Sequence, residues 1–174
     1  MFPVFQKVNV VKLIDDINIR IGKATAWLVL VMVLVTFLIV ALRYVFDSGW
    51  IWLQESVTWM HAAVFTLAAA YALARDEHVR VDIFYRNFSP RRKALVDAAG
   101  SLFLLLPVSV FLIWSSWDYV AASWSIRESS REAGGLIFPF VPILKSLIPI
   151  MSAMLLLQAI GILWRAIIHI RSPR

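Results

Sequence analysis

Four stretches of the chain contain no Asp, Glu, Lys or Arg, and each is 19 or 20 residues long: 24–42, 56–74, 98–117 and 146–164. An α-helix rises 1.5 Å per residue, so about 20 residues cross the roughly 30 Å hydrocarbon core of a bilayer. Because lipid offers no hydrogen-bond partners, each stretch must satisfy its own backbone as a helix. The sequence therefore predicts an all-α integral membrane protein with four transmembrane helices.

The distribution of Lys and Arg predicts the orientation of these helices. Thirteen basic residues lie before the first stretch, between the second and third, and after the fourth: Lys7, Lys12, Arg20, Lys23, Arg75, Arg80, Arg86, Arg91, Arg92, Lys93, Arg165, Arg171 and Arg174. Four lie on the opposite side: Arg43, Arg127, Arg131 and Lys145. The positive-inside rule then places both chain ends in the cytoplasm, as expected for a multi-pass protein of a bacterial inner membrane. The net charge of +6 follows from this topology, and no nucleic-acid partner is predicted.

The pattern predicts one membrane domain over residues 1–174, with spans at about 24–46, 52–74, 95–120 and 143–168. Val10, Ile14, Ile17 and Ile21 share one helical face, which predicts an amphipathic helix over 4–22 that lies flat on the cytoplasmic surface. A second cytoplasmic interfacial segment is expected at 79–90, and Ser89-Pro90 is typical of a helix start. Residues 121–142 form the predicted periplasmic loop.

The sequence contains no recognisable catalytic, metal or cofactor centre. There is no cysteine, and no metalloprotease, nucleophile-elbow or phosphate-loop motif occurs. His61 is the one ionisable residue well inside a span, and a neutral histidine hydrogen-bonded between helices is the favoured interpretation over a haem ligand, which would need a histidine partner at the same depth. We therefore predict no enzyme activity, no metal and no cofactor.

Two groups of residues are candidates for contacts outside the chain. The first, at the predicted outer side, combines aromatic anchors, clustered charges and a Gly- and Pro-broken apolar tract, and is a possible partner interface: Trp52, Glu55, Trp59, Arg127, Glu128, Arg131, Glu132, Gly134, Gly135 and Lys145. An internal loop that caps the helix bundle explains the same residues equally well. The second group is a possible anchor to lipid at the cytoplasmic side: Arg75, His78, Asp82, Arg91 and Arg92.

Several short motifs, in this order along a four-span chain, resemble one transporter family. They are Trp52-x-x-Glu55, Arg75-x-Glu77-His78-Val79-x-Val81-Asp82, Ser89-Pro90-Arg91-Arg92, Ser129, Glu132, Gly134-Gly135-Leu136, Pro139, Leu144-Lys145, Ile148-Pro149 and Leu156-Leu157-Gln158. Together they are similar to the DctQ-type small membrane subunit of tripartite ATP-independent periplasmic (TRAP) transporters. The chain departs from many relatives at Gln54-Glu55, where those relatives carry two acids.

The resemblance implies an accessory role in sodium-coupled import of an organic acid. In such transporters a periplasmic binding protein captures the solute, and a large membrane subunit holds the solute and sodium sites. The small subunit extends the fixed scaffold and contacts membrane lipids. Two other functions stay open at this point: a membrane anchor of a respiratory haem or quinone complex, and a small transporter that works alone.

Overall fold

The computed structural model describes residues 4–77 and 85–171, with side chains from residue 11 onward, and these residues are helical apart from short connections. The helices are α1 (Val4–Val45), α2 (Ile51–Ala74), α3 (Pro90–Gly100), α4 (Leu106–Ser125) and α5 (Phe140–Arg171), with a π-helical turn (Ser101–Leu105) joining α3 to α4. Four continuous helical stretches are long and apolar enough to cross a membrane: Val11–Val45, Ile51–Ala74, Pro90–Ser125 and Phe140–Arg171. The prediction of an all-α protein with four long apolar helices is confirmed.

Helix α1 differs from the prediction of a separate amphipathic helix before the first span. Its 42 residues run from Val4 to Val45 without a break, so the predicted segment 4–22 and the first span form one helix. Gly22 is the only poor helix former near the predicted boundary, and Lys23 and Ala24 favour a helix, so nothing in the local sequence ends it there. The turn that a flat-lying helix would need before the span is absent from residues 4–45.

The third long stretch contains a π-helical turn just before Pro107. Proline lacks an N–H group, and its ring clashes with the carbonyl four residues earlier. Leu106 accordingly donates its backbone N–H to the carbonyl of Ser101, five residues back, which widens the helix immediately before the proline. α3 begins at Pro90 with extended Ser89 as its N-cap residue, as predicted, although the Ser89 side chain makes no capping hydrogen bond.

Small residues spaced seven apart line the helix contacts. Ala63 and Ala70 of α2, Ser109, Ser116 and Ser123 of α4, and Ser152, Ala159 and Ala166 of α5 are all buried. Seven residues are close to two helical turns, so each set forms a seam on one face where backbones approach closely. α1 packs on α2, α4 packs on α5, and α5 also contacts α1, α2 and α3. Helix α5 is therefore the centre of the bundle. Large apolar side chains cover the outer surface of the bundle.

The bundle has two ends that differ in chemistry. The loop end contains the short connection 46–50 and the connection 126–139, which is shorter than the predicted loop 121–142 because α4 continues to Ser125 and α5 already begins at Phe140. The opposite end contains the end of α2, the start of α3, the first described turns of α1 and the end of α5. The first half of the predicted interfacial segment 79–90, which includes Asp82, lies outside the described residues, as does His78 just before it.

Candidate functional site

The loop 126–139 is folded onto the ends of α2, α4 and α5. It starts where α4 ends in a turn with Arg127 in the left-handed region (φ 49°), so that Glu128 donates its N–H to the carbonyl of Ser123 at 3.0 Å. Further along, Ser130 donates its N–H to the carbonyl of Leu136 at 2.8 Å, which closes the loop on itself. This local geometry turns the side chain of Glu128 toward the helices and leaves that of Arg127 outside.

Glu55, in the first turns of α2, holds the closed loop from the inside. Its carboxylate accepts a hydrogen bond from the Ser130 hydroxyl and a second from the backbone N–H of Leu136 at 2.6 Å. One turn later, the indole N–H of Trp59 donates to the carbonyl of Phe140 at 3.0 Å, at the start of α5. Hydrogen bonds to a charged acceptor are stronger than those between neutral groups. Glu55 and Trp59 therefore fix the loop and the start of α5 to α2.

The two glycines are required for different reasons, a backbone conformation at Gly134 and a close approach at Gly135. Gly134 has a φ of 78°, a conformation that side-chain-bearing residues rarely adopt, and its carbonyl accepts the backbone N–H of Trp52 at 3.0 Å. A Cβ atom on Gly135 would lie 2.5 Å from the Ser130 hydroxyl oxygen and 2.7 Å from a Glu55 carboxylate oxygen. The loop can reach Glu55 only because residue 135 has no side chain.

A second connection joins the loop to α5. The ammonium of Lys145 lies 2.6 Å from a carboxylate oxygen of Glu128, and both side chains are less than a fifth exposed. The Ser123 hydroxyl donates to the same oxygen at 2.6 Å, and the Lys145 ammonium also lies 4.1 Å from the centre of the Tyr119 ring. Hydrogen bonds from Lys145 and then Ser123 hold the pKa of Glu128 below its ordinary value. Glu128 is thus held in its ionised form by the two groups that donate to it.

The outward side of the loop carries the remaining charges. Arg127, Arg131 and Glu132 are exposed, and within the described parts of the chain none of the three side chains forms an ion pair or a side-chain hydrogen bond. Trp52 is also exposed and stacks on Trp50, with ring centroids 6.4 Å apart. The predicted partner-interface residues therefore lie together at the loop end, but they divide into an inward set that fastens the loop and an outward set that is free to contact another molecule.

The predicted lipid anchor lies at the opposite end and is more loosely arranged. Arg75 pairs with Glu77 at 3.4 Å, with both side chains more than half exposed, and Arg91 and Arg92 are exposed at the start of α3. Exposed pairs of this kind contribute at most about 1 kcal/mol. His78 and Asp82, the other two predicted members, are outside the described residues. The anchoring role stays a prediction.

A polar network between α1 and α5 is the main feature that the sequence analysis missed. Gln158 is fully buried, accepts a hydrogen bond from the Asn18 amide at 3.0 Å, and donates one to Asp15 at 2.8 Å. Arg165 completes the network with a 2.7 Å contact to the other Asp15 oxygen. The available signal was Gln158, an amide in the middle of an apolar span, where an unpaired polar group is costly.

The described residues contain neither a metal cluster nor a histidine-based site. No group of three or more His, Asp or Glu side chains in the described ranges could hold a metal ion. His61 is exposed on the outer surface of α2, and none of the described side chains forms a hydrogen bond with it. The expected bond between helices is therefore not formed among the described residues. The described residues therefore form a helix bundle whose polar loop 126–139 is held on the ends of α2, α4 and α5.

Four helices long and apolar enough to cross a membrane, joined at one end by the polar loop 126–139, define a multi-pass membrane protein. The sequence profile of the DctQ component of tripartite ATP-independent periplasmic transporters matches residues 32–169. The chain therefore belongs to the DctQ family, the small permease components of TRAP transporters, which is a family of transport proteins and not of enzymes. The chain is also similar to the C4-dicarboxylate TRAP transporter small permease protein DctQ of Vibrio cholerae serotype O1, with 31% identity over 88 residues. That match spans 51% of this chain but only 38% of the relative.

Proposed function

We propose that this chain is the small permease subunit of a sodium-coupled TRAP transporter that imports an organic acid. In this proposal it works with a large membrane subunit, which holds the solute and sodium sites, and with a periplasmic binding protein. The DctQ family match supports this role over a respiratory anchor or an autonomous transporter. The relative from Vibrio cholerae is named for C4-dicarboxylates, which makes a small dicarboxylate the first solute to test.

The proposed orientation places the loop end in the periplasm and both chain ends in the cytoplasm. The 13 to 4 distribution of Lys and Arg supports this orientation through the positive-inside rule. In it, Arg127, Arg131 and Glu132 face the periplasm, where a binding protein or the rim of the large subunit is within reach. Arg75, Arg91 and Arg92 then lie at the cytoplasmic leaflet, whose anionic headgroups attract basic side chains.

The observation that carries the scaffold role is the fastening of the loop to the bundle. Glu55, Trp59 and the Glu128–Lys145 pair join the loop to α2 and α5 through bonds of 2.6–3.0 Å. These contacts use charged groups that in a transporter core would bind ions or solute. In this chain the charged groups form internal contacts instead, which suits a subunit that stays fixed while another subunit moves.

The proposal is tested by solute uptake in cells that lack this chain. We expect sodium-dependent uptake of labelled C4-dicarboxylate to return with the wild-type chain. A triple variant, Arg127→Ala, Arg131→Ala and Glu132→Ala, should reach the membrane in normal amount and restore much less uptake. The matched control is Asp16→Ala, Arg20→Ala and Lys23→Ala, which removes the same charges from exposed positions at the opposite end. Equal uptake by the two triple variants would refute the role of the loop surface, and full uptake without the chain would refute the proposed function.

A further inference from the structure

A line of polar side chains runs along the exposed surface of α2 toward the middle of the span. Gln54, Thr58 and His61 follow the spacing i, i+4, i+7 and are all exposed. His61 is ten residues from the start of α2 at Ile51, which places it about 15 Å along the helix axis. That depth is near the centre of a helix long enough to cross the bilayer, so His61 does not lie at the headgroup level.

His61 lies in a groove between α1 and α2. The groove has a volume of about 470 Å³ and is lined by Met32, Val33, Thr36, Val57, Thr58 and His61. The Thr36 hydroxyl is satisfied by the carbonyl of Met32 in its own helix, at 2.7 Å. The imidazole of His61, in contrast, has no hydrogen-bond partner among the described residues. Two polar groups in the groove, the His61 imidazole and the Thr58 hydroxyl, are therefore left without a hydrogen-bond partner among the described residues.

A second exposed surface with the same spacing is entirely apolar. Leu104, in the π-helical turn, and Val108 and Phe111 of α4 repeat the i, i+4, i+7 pattern, and each is more than half exposed. Leu, Val and Phe are favourable against acyl chains, which suits a lipid-facing surface. Acyl chains cannot hydrogen-bond an imidazole, and ionisable residues inside membranes almost always face protein or a water-filled cavity. We therefore expect acyl chains beside the surface of Leu104, Val108 and Phe111, and protein or water beside His61.

We propose that the α1–α2 groove is the seat of a transmembrane helix from the large membrane subunit, and that this helix presents a hydrogen-bonding side chain to His61. The inference rests on the proposed function, which supplies that subunit. A helix fits the setting because only helices and closed barrels span lipid, and a polar side chain on it would satisfy the unpaired imidazole. The Leu104–Phe111 surface of the same chain remains against lipid.

The first test is site-specific cross-linking in native membranes, with the large subunit co-expressed. A photoreactive benzophenone amino acid replaces Val33 in the groove or, as a matched control, Val108 on the apolar surface, two valines that are 57% and 53% exposed. We expect a protein adduct with the large subunit from position 33 and none from position 108. Adducts from position 33 with lipid alone, or with a second copy of this chain, would overturn the inference if the complex still co-purifies. Absence of the complex itself would instead refute the proposed function.

The second test concerns the hydrogen bond of His61. His61→Leu should weaken association with the large subunit by roughly three- to tenfold, the range expected for a hydrogen bond between membrane helices. His61→Gln, which keeps a donor and an acceptor, should restore most of the affinity, and Phe111→Leu should change nothing. The thermal stability of the isolated chain should not fall in His61→Leu, because the imidazole makes no hydrogen bond with any described residue. Unchanged association in His61→Leu would contradict the proposed contact.

Discussion

The loop end offers the sharpest test of how this protein is held together, because the carboxylate of Glu55 alone accepts two hydrogen bonds from the loop. Replacing Glu55 by Leu removes the acceptor of the Leu136 N–H and of the Ser130 hydroxyl. Leaving a partly buried N–H unsatisfied costs about 1–3 kcal/mol, and losing the hydroxyl bond costs about 1 kcal/mol more. We therefore expect Glu55→Leu to destabilise the protein by about 2–4 kcal/mol.

Glu55→Gln provides the matched comparison, because it keeps the shape and one carbonyl oxygen. That oxygen can still accept the Leu136 N–H, while the amide can donate to the Ser130 hydroxyl oxygen, which has free acceptor capacity. The loss should then be limited to the weaker bonds of a neutral acceptor, about 1 kcal/mol. Comparing the two variants separates the loss of hydrogen bonds from the loss of charge.

The assay is thermal unfolding of the purified protein in detergent, followed by tryptophan fluorescence. For a chain of this length 1 kcal/mol corresponds to roughly 2–4 °C in Tm, so Glu55→Leu should melt several degrees below Glu55→Gln. Limited trypsin digestion is a second readout, since cleavage after Arg127 and Arg131 should accelerate when the loop is released. Equal melting temperatures and equal cleavage rates in the two variants would show that the hydrogen bonds of Glu55 do not hold the loop.

Three further predictions concern single contacts, each measured by the same thermal unfolding. Gly135→Ala should lower the free energy of unfolding by about 1–3 kcal/mol, because the added Cβ would collide with Ser130 and Glu55. Gly49→Ala, whose Cβ would meet nothing within 4 Å, should stay within about 0.5 kcal/mol of wild type. Similar losses of stability in both variants would contradict the close approach at Gly135. Because folding lowers the pKa of Glu128, the stability that its carboxylate contributes should be fully present above its ordinary pKa and be lost as the pH falls through the lowered pKa. The Tm difference between wild type and Glu128→Gln should therefore be constant from pH 7 to about 5 and shrink below that. A constant difference down to pH 3 would argue against a lowered pKa. Gln158→Leu should lower the free energy of unfolding by about 1–3 kcal/mol, because it leaves the Asn18 amide unsatisfied. Adding Asn18→Leu should recover part of that loss. If the losses of the two single variants simply add in the double variant, the Asn18–Gln158 hydrogen bond is contradicted.

The four long helices could be predicted because their signal is local. Nineteen or twenty consecutive residues without Asp, Glu, Lys or Arg predict each span, and no knowledge of neighbouring helices is needed. The helix start at Pro90 was predictable for the same reason, from one Ser-Pro pair. The continuity of α1 was not, because the amphipathic pattern of residues 10–21 says which face is apolar and not whether the helix axis turns before the span.

The candidate site could be predicted only as a group of residues. The sequence brings Glu55, Glu128 and Lys145 to one end of the bundle, but which of them turn inward depends on contacts over 17 to 81 residues of separation. The network of Asp15, Gln158 and Arg165 joins residues 143 and 150 positions apart. Such pairs follow from helix packing, which the hydrophobic pattern leaves undetermined. The role of the outward charges in partner binding stays a prediction.

Association with a large membrane subunit is the claim on which the proposed function depends. The most direct measurement is affinity purification of the tagged chain from its native membrane in mild detergent, followed by quantitative mass spectrometry of the proteins that co-purify. We expect one large polytopic membrane protein in an amount equal to that of the tagged chain. Recovery of respiratory subunits, or of the tagged chain alone under conditions that preserve other membrane complexes, would contradict it.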